Sequence, residues 1–364
     1  MTSQAERKYW KKGFEIELLA PTGSSRKHLA DRIADTAGGT VHTRFYPQSE
    51  PSLVPGLPVF ETLVLAFDVI DENGNQIALF TDDLTLTADL NRSAPPEPGW
   101  MRILSDDARI LALAERHCDP GQPRDRVLEP LAELFGTELE RSSDGICKVV
   151  DPLKHSVAMA AELPGERDRP CEIITPPVTG DPAGVLRPLL TAAREMEFTV
   201  PSEAAVHVHF DAEPLCSAQA LSKLILALET HRDFLRKHLR TNPRCTRLGP
   251  NSAEILDLLR SKTFQTAHWP EARKLLTACK PTKYCDFNLF NIAHALPAKH
   301  TFEVRILPSS LEVEEILAGA AMFECILNWA VNASDPTIPE DGNAFLETIG
   351  LTDAQLNFWR RHDA

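Results

Sequence analysis

The sequence predicts an α+β protein with an antiparallel or mixed sheet. Apolar and charged residues alternate strictly in several short segments, which is typical of strands that bury one face. The second half of the chain has more of the i, i+3, i+4, i+7 spacing of amphipathic helices. Strands and helices do not alternate regularly along the 364 residues, as they would in a parallel α/β sheet. We therefore expect a sheet with one face packed on helices and the other face lining a cleft.

A strand and a helix begin the predicted order of elements. Gly13–Leu18 alternates Phe, Ile and Leu with Glu, so its apolar side chains share one face of a strand. The following helix is expected to begin after Ser24 or Ser25, because serine caps helix N-termini. It is expected to end at Gly38 and Gly39, where glycine permits the chain to leave the helix.

A loop and a hairpin are predicted next. Residues 45–58 contain four prolines and are expected to form an irregular loop, which makes them a candidate lid. Two apolar runs, residues 60–69 and 76–80, flank Asn73 and Gly74. Asn-Gly between apolar runs is a strong signal for a β-hairpin.

The remaining elements follow from apolar runs and helical spacing. Further strands are predicted at residues 100–104, 147–150, 156–163, 171–175, 206–210 and 301–307. Further helices are predicted at residues 106–116, 126–135, 217–239, 312–331 and 352–361.

Composition limits the classes of function. The chain has 38 Lys and Arg against 52 Asp and Glu, a net charge of −14, which argues against a nucleic-acid or anionic-membrane binder. The 8 cysteines form no CxxC pair and are expected to be reduced structural thiols. Neither a signal peptide nor a membrane span is recognisable. We expect a soluble, cytoplasmic protein, and the sequence leaves its oligomeric state open.

Three of the predicted strands share an unusual pattern of ionisable residues. On each strand, two such residues at i and i+2 lie on one face and apolar residues lie on the other. The three pairs are Glu15 and Glu17, His207 and His209, and Glu303 and Arg305. A solvated face would explain any one of these strands. The three together, one of them with His-x-His, favour a divalent-metal site.

The types of ligand limit which metal ions could bind. Several carboxylates with one or two imidazoles suit Mg²⁺ or Mn²⁺, whereas His-x-His with a carboxylate could also hold zinc in a hydrolase. The sequence lacks the HExxH helix of many zinc enzymes and has no P-loop and no GxGxxG. If ATP binds, carboxylates on the sheet must hold its phosphates through metal ions.

Four segments in this order resemble the amidoligase family of ATP-dependent carboxylate–amine ligases. They are Gly13–Leu18, Cys171–Pro177, Val206–Asp211 and Thr301–Ile306. The resemblance covers about residues 13–331 and implies a curved sheet of the glutamine synthetase-like catalytic fold. It implies a single catalytic domain at residues 13–335 with a hairpin elaboration at about 60–104. Residues 1–12 would be a tail and residues 336–364 a helical extension.

The resemblance also implies roles for individual residues. Metal ligands are implied at the glutamates Glu15, Glu17, Glu172 and Glu303. His207 or His209 would bind a metal ion or the nucleotide phosphates. Arg305 would face the transferring phosphoryl group, and Arg305, Glu303 and Glu17 are the implied catalytic residues.

One polar segment is a weaker candidate. Lys283 and Asn288 precede the last of the three strands and could reach the nucleotide or the substrate. An ordinary polar loop is the simpler alternative.

The implied activity is an ATP- and Mg²⁺-dependent ligase, with Mn²⁺ as a possible substitute. It would join a small-molecule or peptide carboxylate to an amine, as an amide or isopeptide bond, through an acyl phosphate. A zinc hydrolase using the His-x-His strand and an inactive scaffold of the same fold are the alternatives.

Overall fold

The structure is a computed structural model. It describes residues 9–51, 59–142, 145–245, 247–297, 299–333, 337–352, 355, 358 and 359.

Twelve strands lie in this part of the chain. They are β1 (Lys12–Leu19), β2 (Thr40–Pro51), β3 (Val59–Ile70), β4 (Gln76–Thr81), β5 (Met101–Leu104), β6 (Glu140–Arg141), β7 (Cys147–Val150), β8 (Ser156–Glu162), β9 (Pro170–Ile174), β10 (Ala205–Asp211), β11 (Phe287–Asn288) and β12 (Thr301–Pro308).

The same residues contain twelve α-helices and a short 3₁₀ turn at Glu213–Leu215. The helices are α1 (Arg26–Ala37), α2 (Ala108–His117), α3 (Glu129–Leu134), α4 (Pro182–Glu195), α5 (Ala218–Thr230), α6 (Arg232–His238), α7 (Ala253–Arg260), α8 (Lys262–Gln265), α9 (Trp269–Ala278), α10 (Phe290–His294), α11 (Val313–Asn332) and α12 (Gly342–Thr348).

The chain divides into two compact units. The first comprises the described residues up to Ile16, Pro177–Arg187 and those from Ala204 onward. The second comprises the described residues of Glu17–Pro176 and Pro188–Glu203. Strand β1 therefore contributes its first half to one unit and its end to the other.

In the first unit, four strands lie in the order β11-β12-β10-β1, and each neighbouring pair is antiparallel. Helix α11 covers one face of these strands. Trp10 Nε1 donates to Asn328 Oδ1 at 3.1 Å, and Lys12 forms an ion pair with Glu324. At Gly319 the helix comes so close that a Cβ there would lie 2.3 Å from Leu307 Cδ2 on β12. The apolar face of the strands is thus held tightly against α11.

The second unit is built around the long strand β3. It pairs with β2 along one edge and with β4 and β5 along the other. The strands β9-β4-β3-β5-β8-β7-β6 continue this antiparallel arrangement. Helix α1 begins at Ser25, whose Oγ accepts from His28 N, and ends at Gly38, whose φ is 63°. That left-handed backbone angle favours glycine.

Much of the predicted order is confirmed. The α+β class and the antiparallel pairing are as expected, and the strands and helices predicted up to residue 175 are present, apart from the loop discussed next. The hairpin turn lies where Asn73 and Gly74 predicted it, and Asp71 N donates to Asn75 O at 2.9 Å. Strands β10 and β12 and helix α11 also agree with the elements predicted at residues 206–210, 301–307 and 312–331.

The prediction of a loop from residue 45 is wrong for residues 45–51, which belong to β2. Pro47 lies opposite Leu63 in the β2–β3 pairing. Among the described strands β2 pairs only with β3, and proline is tolerated on such an edge because alternate N–H groups have no ladder partner there. Residues 52–58 of the predicted loop lie outside the described residues.

The prediction of one helix over residues 217–239 is also wrong. The chain leaves α5 at His231, whose ring stacks on Phe345 of α12 with centroids 4.3 Å apart, and continues as α6. The short helices α7–α10 and the helix α4 were not predicted. The predicted helix at residues 352–361 lies largely outside the described residues.

None of the described helices is long and apolar enough to cross a membrane. The single catalytic domain predicted at residues 13–335 stays a prediction.

Candidate active site

Cross-strand pairing in the first unit brings the ionisable residues of three strands together. Glu15 lies opposite His207 in the β1–β10 pairing. His209 lies opposite Glu303 in the β10–β12 pairing, and Glu303 lies opposite Asn288 of β11. Directly opposed residues on one sheet face are close enough for their side chains to interact. The register therefore assembles one cluster, which we call the β1–β10–β12 cluster.

The side chains of this cluster are buried. Glu15 and His209 are 6% exposed, His207 is 5% exposed and Glu303 is 3% exposed. Charged side chains are rarely buried unless they are paired or bind an ion. A solvated sheet face, the simpler explanation of the sequence pattern, is not what the structure contains.

Both imidazoles contact both carboxylates. His207 Nδ1 lies 3.2 Å from Glu15 Oε2 and 3.7 Å from Glu303 Oε1. His209 Nε2 lies 3.0 Å from Glu15 Oε1 and 3.8 Å from Glu303 Oε1. The ligand atoms of Glu15, His209 and Glu303 all lie within 4.8 Å of one another, a spacing at which one metal ion could bind all three.

The ring of His209 is oriented by its other nitrogen. Nδ1 lies 3.0 Å from Thr301 Oγ1, and that oxygen accepts from Asn291 Nδ2 at 3.1 Å. His209 Nε2 is buried and lies 3.0 Å from Glu15 Oε1. Nε2 therefore points toward the two carboxylates. This arrangement is that of a metal-binding histidine held by a second partner, so the residues fit a divalent cation.

Glu15 is held in its ionised form. Burial alone would raise its pKa, but the charges of Lys299 and His209 and the hydrogen bond from His207 hold the pKa of Glu15 well below its usual value. Lys299 Nζ lies 2.7 Å from Glu15 Oε1. A buried carboxylate that stays ionised is a suitable ligand for a hard cation.

Glu303 is ionised for a similar reason. Burial opposes its ionisation, and Arg305, whose Nη1 lies 2.5 Å from Glu303 Oε1, leads the charges that lower its pKa to about 2. Asn288 Nδ2 donates to the other oxygen, Oε2, at 2.6 Å. Both oxygens of Glu303 are therefore fixed in position.

His207 and Lys283 lie in an environment that disfavours positive charge. Burial, followed by the charge of Arg305, lowers the pKa of His207, despite its hydrogen bond with Glu15. Burial and the charges of Arg247 and Arg305 also lower the pKa of Lys283. His207 is thus a neutral imidazole at neutral pH.

A second cluster lies in the second unit and consists of carboxylates. The ligand atoms of Glu17, Asp83 and Glu172 all lie within 4.8 Å of one another, and Glu17 and Glu172 are buried. Strand pairing explains their proximity, since Thr81 of β4 lies opposite Glu172 of β9 and Asp83 follows two residues later. An all-oxygen set of this kind suits Mg²⁺.

The predicted site residues thus fall into two groups. The first unit contains Glu15, His207, His209, Lys283, Asn288, Glu303 and Arg305, and the second unit contains Glu17 and Glu172. Asn288 was predicted to reach the nucleotide or the substrate. In the structure its side chain contacts Glu303, which is itself a proposed metal ligand. The catalytic and binding roles of all nine residues stay predictions.

Four further residues were missed by the sequence analysis. Lys299, Thr301 and Asn291 contact the β1–β10–β12 cluster, and Asp83 completes the second cluster. Asp83 had a usable signal, because it follows a predicted strand directly. Lys299 had none, since its contact with Glu15 joins positions 284 residues apart.

Comparison with known proteins identifies the family. A family model described as "Putative amidoligase enzyme" matches residues 8–325, which is most of the chain. No curated protein and no solved structure shows a significant match. The four segments that resemble this family all lie within the matched range, and each of them carries at least one residue of the two clusters. The chain belongs to the amidoligase family.

Proposed function

We propose that the protein is an ATP- and Mg²⁺-dependent ligase that joins a carboxylate to an amine. One observation carries the proposal beyond family membership. Two buried carboxylates are kept ionised beside a buried imidazole whose Nε2 faces both of them, and a guanidinium lies in the same cluster. Carboxylates, imidazole and guanidinium together suit metal-assisted phosphoryl transfer.

The proposed reaction has two steps. A carboxylate oxygen of the first substrate forms a bond to the γ-phosphorus of ATP, while the bond from that phosphorus to the bridging oxygen breaks and ADP leaves. The amine nitrogen of the second substrate then attacks the acyl carbon, inorganic phosphate leaves and the nitrogen loses a proton. The products are an amide or isopeptide, ADP and phosphate.

The residues of the β1–β10–β12 cluster have distinct parts in this proposal. Glu15, Glu303 and His209 would hold Mg²⁺ or Mn²⁺, and the bound cation would neutralise phosphate charge. Arg305 would stabilise the charge on the phosphoryl oxygens, since its planar fork can contact two oxygens at once. Neutral His207 would donate or accept a hydrogen bond without adding charge. Glu17, Asp83 and Glu172 would form a further cation site in the second unit.

The proposal also covers the fold, the cellular compartment and the substrates. The antiparallel strands with one face on helices and the other bearing carboxylates support a glutamine synthetase-like fold. All eight cysteines are free thiols, which supports a reducing compartment such as the cytoplasm. The substrates would be a small molecule or peptide carrying a carboxylate and a second one carrying an amine.

An ADP-release screen tests the proposed reaction. The full chain with ATP and Mg²⁺ is offered pairs from a panel of amino acids, peptides and amines, and each component is omitted in turn. Hydroxylamine is added in parallel, because it converts an acyl phosphate to a stable hydroxamate. We expect ADP release that needs the carboxylate, and hydroxamate formation without the amine.

A matched pair of variants controls this experiment. Glu303→Gln should abolish ADP release, whereas Glu314→Gln, on the exposed outer side of α11 beside Arg187, should not. Hydrolysis of a substrate without ATP would favour the zinc hydrolase instead. No binding of ATP with either Mg²⁺ or Mn²⁺ would favour an inactive scaffold.

A further inference from the structure

A third group of metal-binding side chains lies at the ends of β10 and β12. Its members are Glu213, Cys216 and His300, and their ligand atoms all lie within 4.8 Å of one another. None of them belongs to the β1–β10–β12 cluster or to the carboxylate cluster of the second unit. The predicted function uses none of the three.

The fold brings these three residues together by two local features. Asp211 at the end of β10 lies opposite Thr301 at the start of β12, and Ala212 N donates to His300 O at 3.1 Å. The 3₁₀ turn that follows β10 then reverses the chain, and Cys216 N donates to Glu213 O at 3.1 Å. Backbone hydrogen bonds therefore fix the positions from which all three side chains extend.

The distances suit a tetrahedral zinc ion. Cys216 Sγ lies 3.9 Å from His300 Nε2. Zinc bonds of about 2.3 Å to sulfur and about 2.0 Å to nitrogen, at a tetrahedral angle, would place these atoms about 3.5 Å apart. The observed pair thus needs to close by only a few tenths of an ångström. Glu213 is exposed and can rotate toward the ion, while Cys216 and His300 are half-buried.

We propose that Glu213, Cys216 and His300 form a Zn²⁺ site, with water as the fourth ligand. Sulfur, imidazole and carboxylate are the three ligand types that zinc combines, and a thiolate does not suit Mg²⁺. The thiol must lose its proton to solvent on binding, because the thiolate is the ligand. That proton is held in a contact from Cys216 Sγ to Ala212 O at 3.4 Å.

Without the ion, Cys216 is a poor nucleophile. Burial, together with the charges of Glu213 and Asp211, raises the pKa of Cys216 to about 11, while Arg273 opposes this. The thiol is then protonated at neutral pH, and zinc binding would have to displace that proton.

The position of His300 connects this site to the β1–β10–β12 cluster. Its neighbours in sequence are Lys299, which pairs with Glu15, and Thr301, which contacts His209. A zinc ion bound to His300 would fix the short segment that carries both contacts. The site would therefore stabilise the arrangement of the cluster without contacting a substrate.

Cobalt provides a direct test, because Co²⁺ bound to a thiolate absorbs strongly in the near ultraviolet. The full chain is stripped of metal and titrated with Co²⁺ in excess Mg²⁺. None of the eight cysteines contributes a ligand atom to the β1–β10–β12 cluster or to the carboxylate cluster, so Co²⁺ bound there gives no thiolate band. We expect a thiolate band that saturates at one Co²⁺ per chain and disappears when Zn²⁺ is added.

Three variants complete the test. Cys216→Ser should abolish the band, and His300→Ala should weaken Co²⁺ binding by about tenfold or more. Cys279→Ser, at another half-buried cysteine outside the group, should retain the band. The melting temperature of each metal-free variant shows whether it is folded. Absence of the band in the wild-type protein, or an equal band in Cys216→Ser, would overturn the proposal.

Discussion

Thr301 Oγ1 lies 3.0 Å from His209 Nδ1 and thereby sets the direction in which His209 Nε2 points. Asn291 donates to the same hydroxyl oxygen, so the oxygen is held from two sides. The contact joins the first residue of β12 to a residue of β10 that is proposed to bind metal. Such supporting contacts commonly affect metal affinity as strongly as they affect structure.

Replacing Thr301 with Val should weaken metal binding while preserving the fold. Valine has the shape of threonine without the hydroxyl, so His209 would lose the partner that orients its ring. We expect Mn²⁺ affinity to fall by about 10- to 100-fold, measured by calorimetry. Thr230→Val is the control, because that hydroxyl donates to Leu226 O within α5. Unchanged Mn²⁺ affinity in Thr301→Val would remove His209 from the set of ligands.

Replacing Lys299 with Gln should strengthen metal binding. The Lys299 ammonium lies 2.7 Å from Glu15 Oε1, so it would compete with a divalent cation for that oxygen. Its side chain is 43% exposed, so the pair is partly screened and the gain should be about fivefold, or about 1 kcal/mol. Lys274→Gln, on the exposed face of α9, serves as the control. A loss of Mn²⁺ affinity would show that Lys299 supports the site instead.

Replacing Arg305 with Lys separates catalysis from binding. Lysine keeps a positive charge near Glu303, so ATP affinity and melting temperature should change little. It loses the planar fork that can contact two phosphoryl oxygens, so turnover should fall by on the order of 10²-fold. Arg187→Lys, where the arginine side chain is 58% exposed beside Glu314, should have no effect on turnover. Near-normal turnover in Arg305→Lys would exclude this face as the catalytic one.

Replacing Cys285 with Ser should leave turnover within about tenfold of the wild type, or about 1.4 kcal/mol in barrier. Burial raises the pKa of Cys285 to about 12, so the thiol is protonated at neutral pH. Its Sγ contacts the carbonyl oxygens of Thr282 and Phe287, both at 3.3 Å, and a serine hydroxyl can donate to either. Complete loss of turnover in a folded variant would indicate a covalent intermediate on sulfur.

The face on which each site residue lies could be predicted, because strand side chains alternate with a period of two. Phe14 and Ile16 identified one face of β1 as apolar, and this placed Glu15 on the other face. The pairing of Glu15 with His207 could not be predicted in the same way. Register depends on contacts between strands that are distant in sequence, and a short apolar strand can pair in several registers.

Other features of the fold could not be predicted from the residues next to them in the sequence. Pro47 indicated a loop, but the tolerance of an edge strand for proline overrode that indication. The helices α8 and α10 have only 4 and 5 residues, too few for a helical repeat to be recognisable in the sequence. The contact of Lys299 with Glu15 depends on how the chain enters β12, which no residue type specifies.

The charges of the β1–β10–β12 cluster determine whether the chain can fold before a metal ion binds. Glu15 and Glu303 each have a cation from the chain itself, Lys299 and Arg305 respectively. A newly made chain can therefore bury both carboxylates without waiting for a metal ion, since each negative charge is already balanced. Loading of the proposed metal ion would then be an ion exchange in a folded protein, in which Lys299 is the displaced cation. The Lys299 side chain is 43% exposed, so its ammonium can move into solvent.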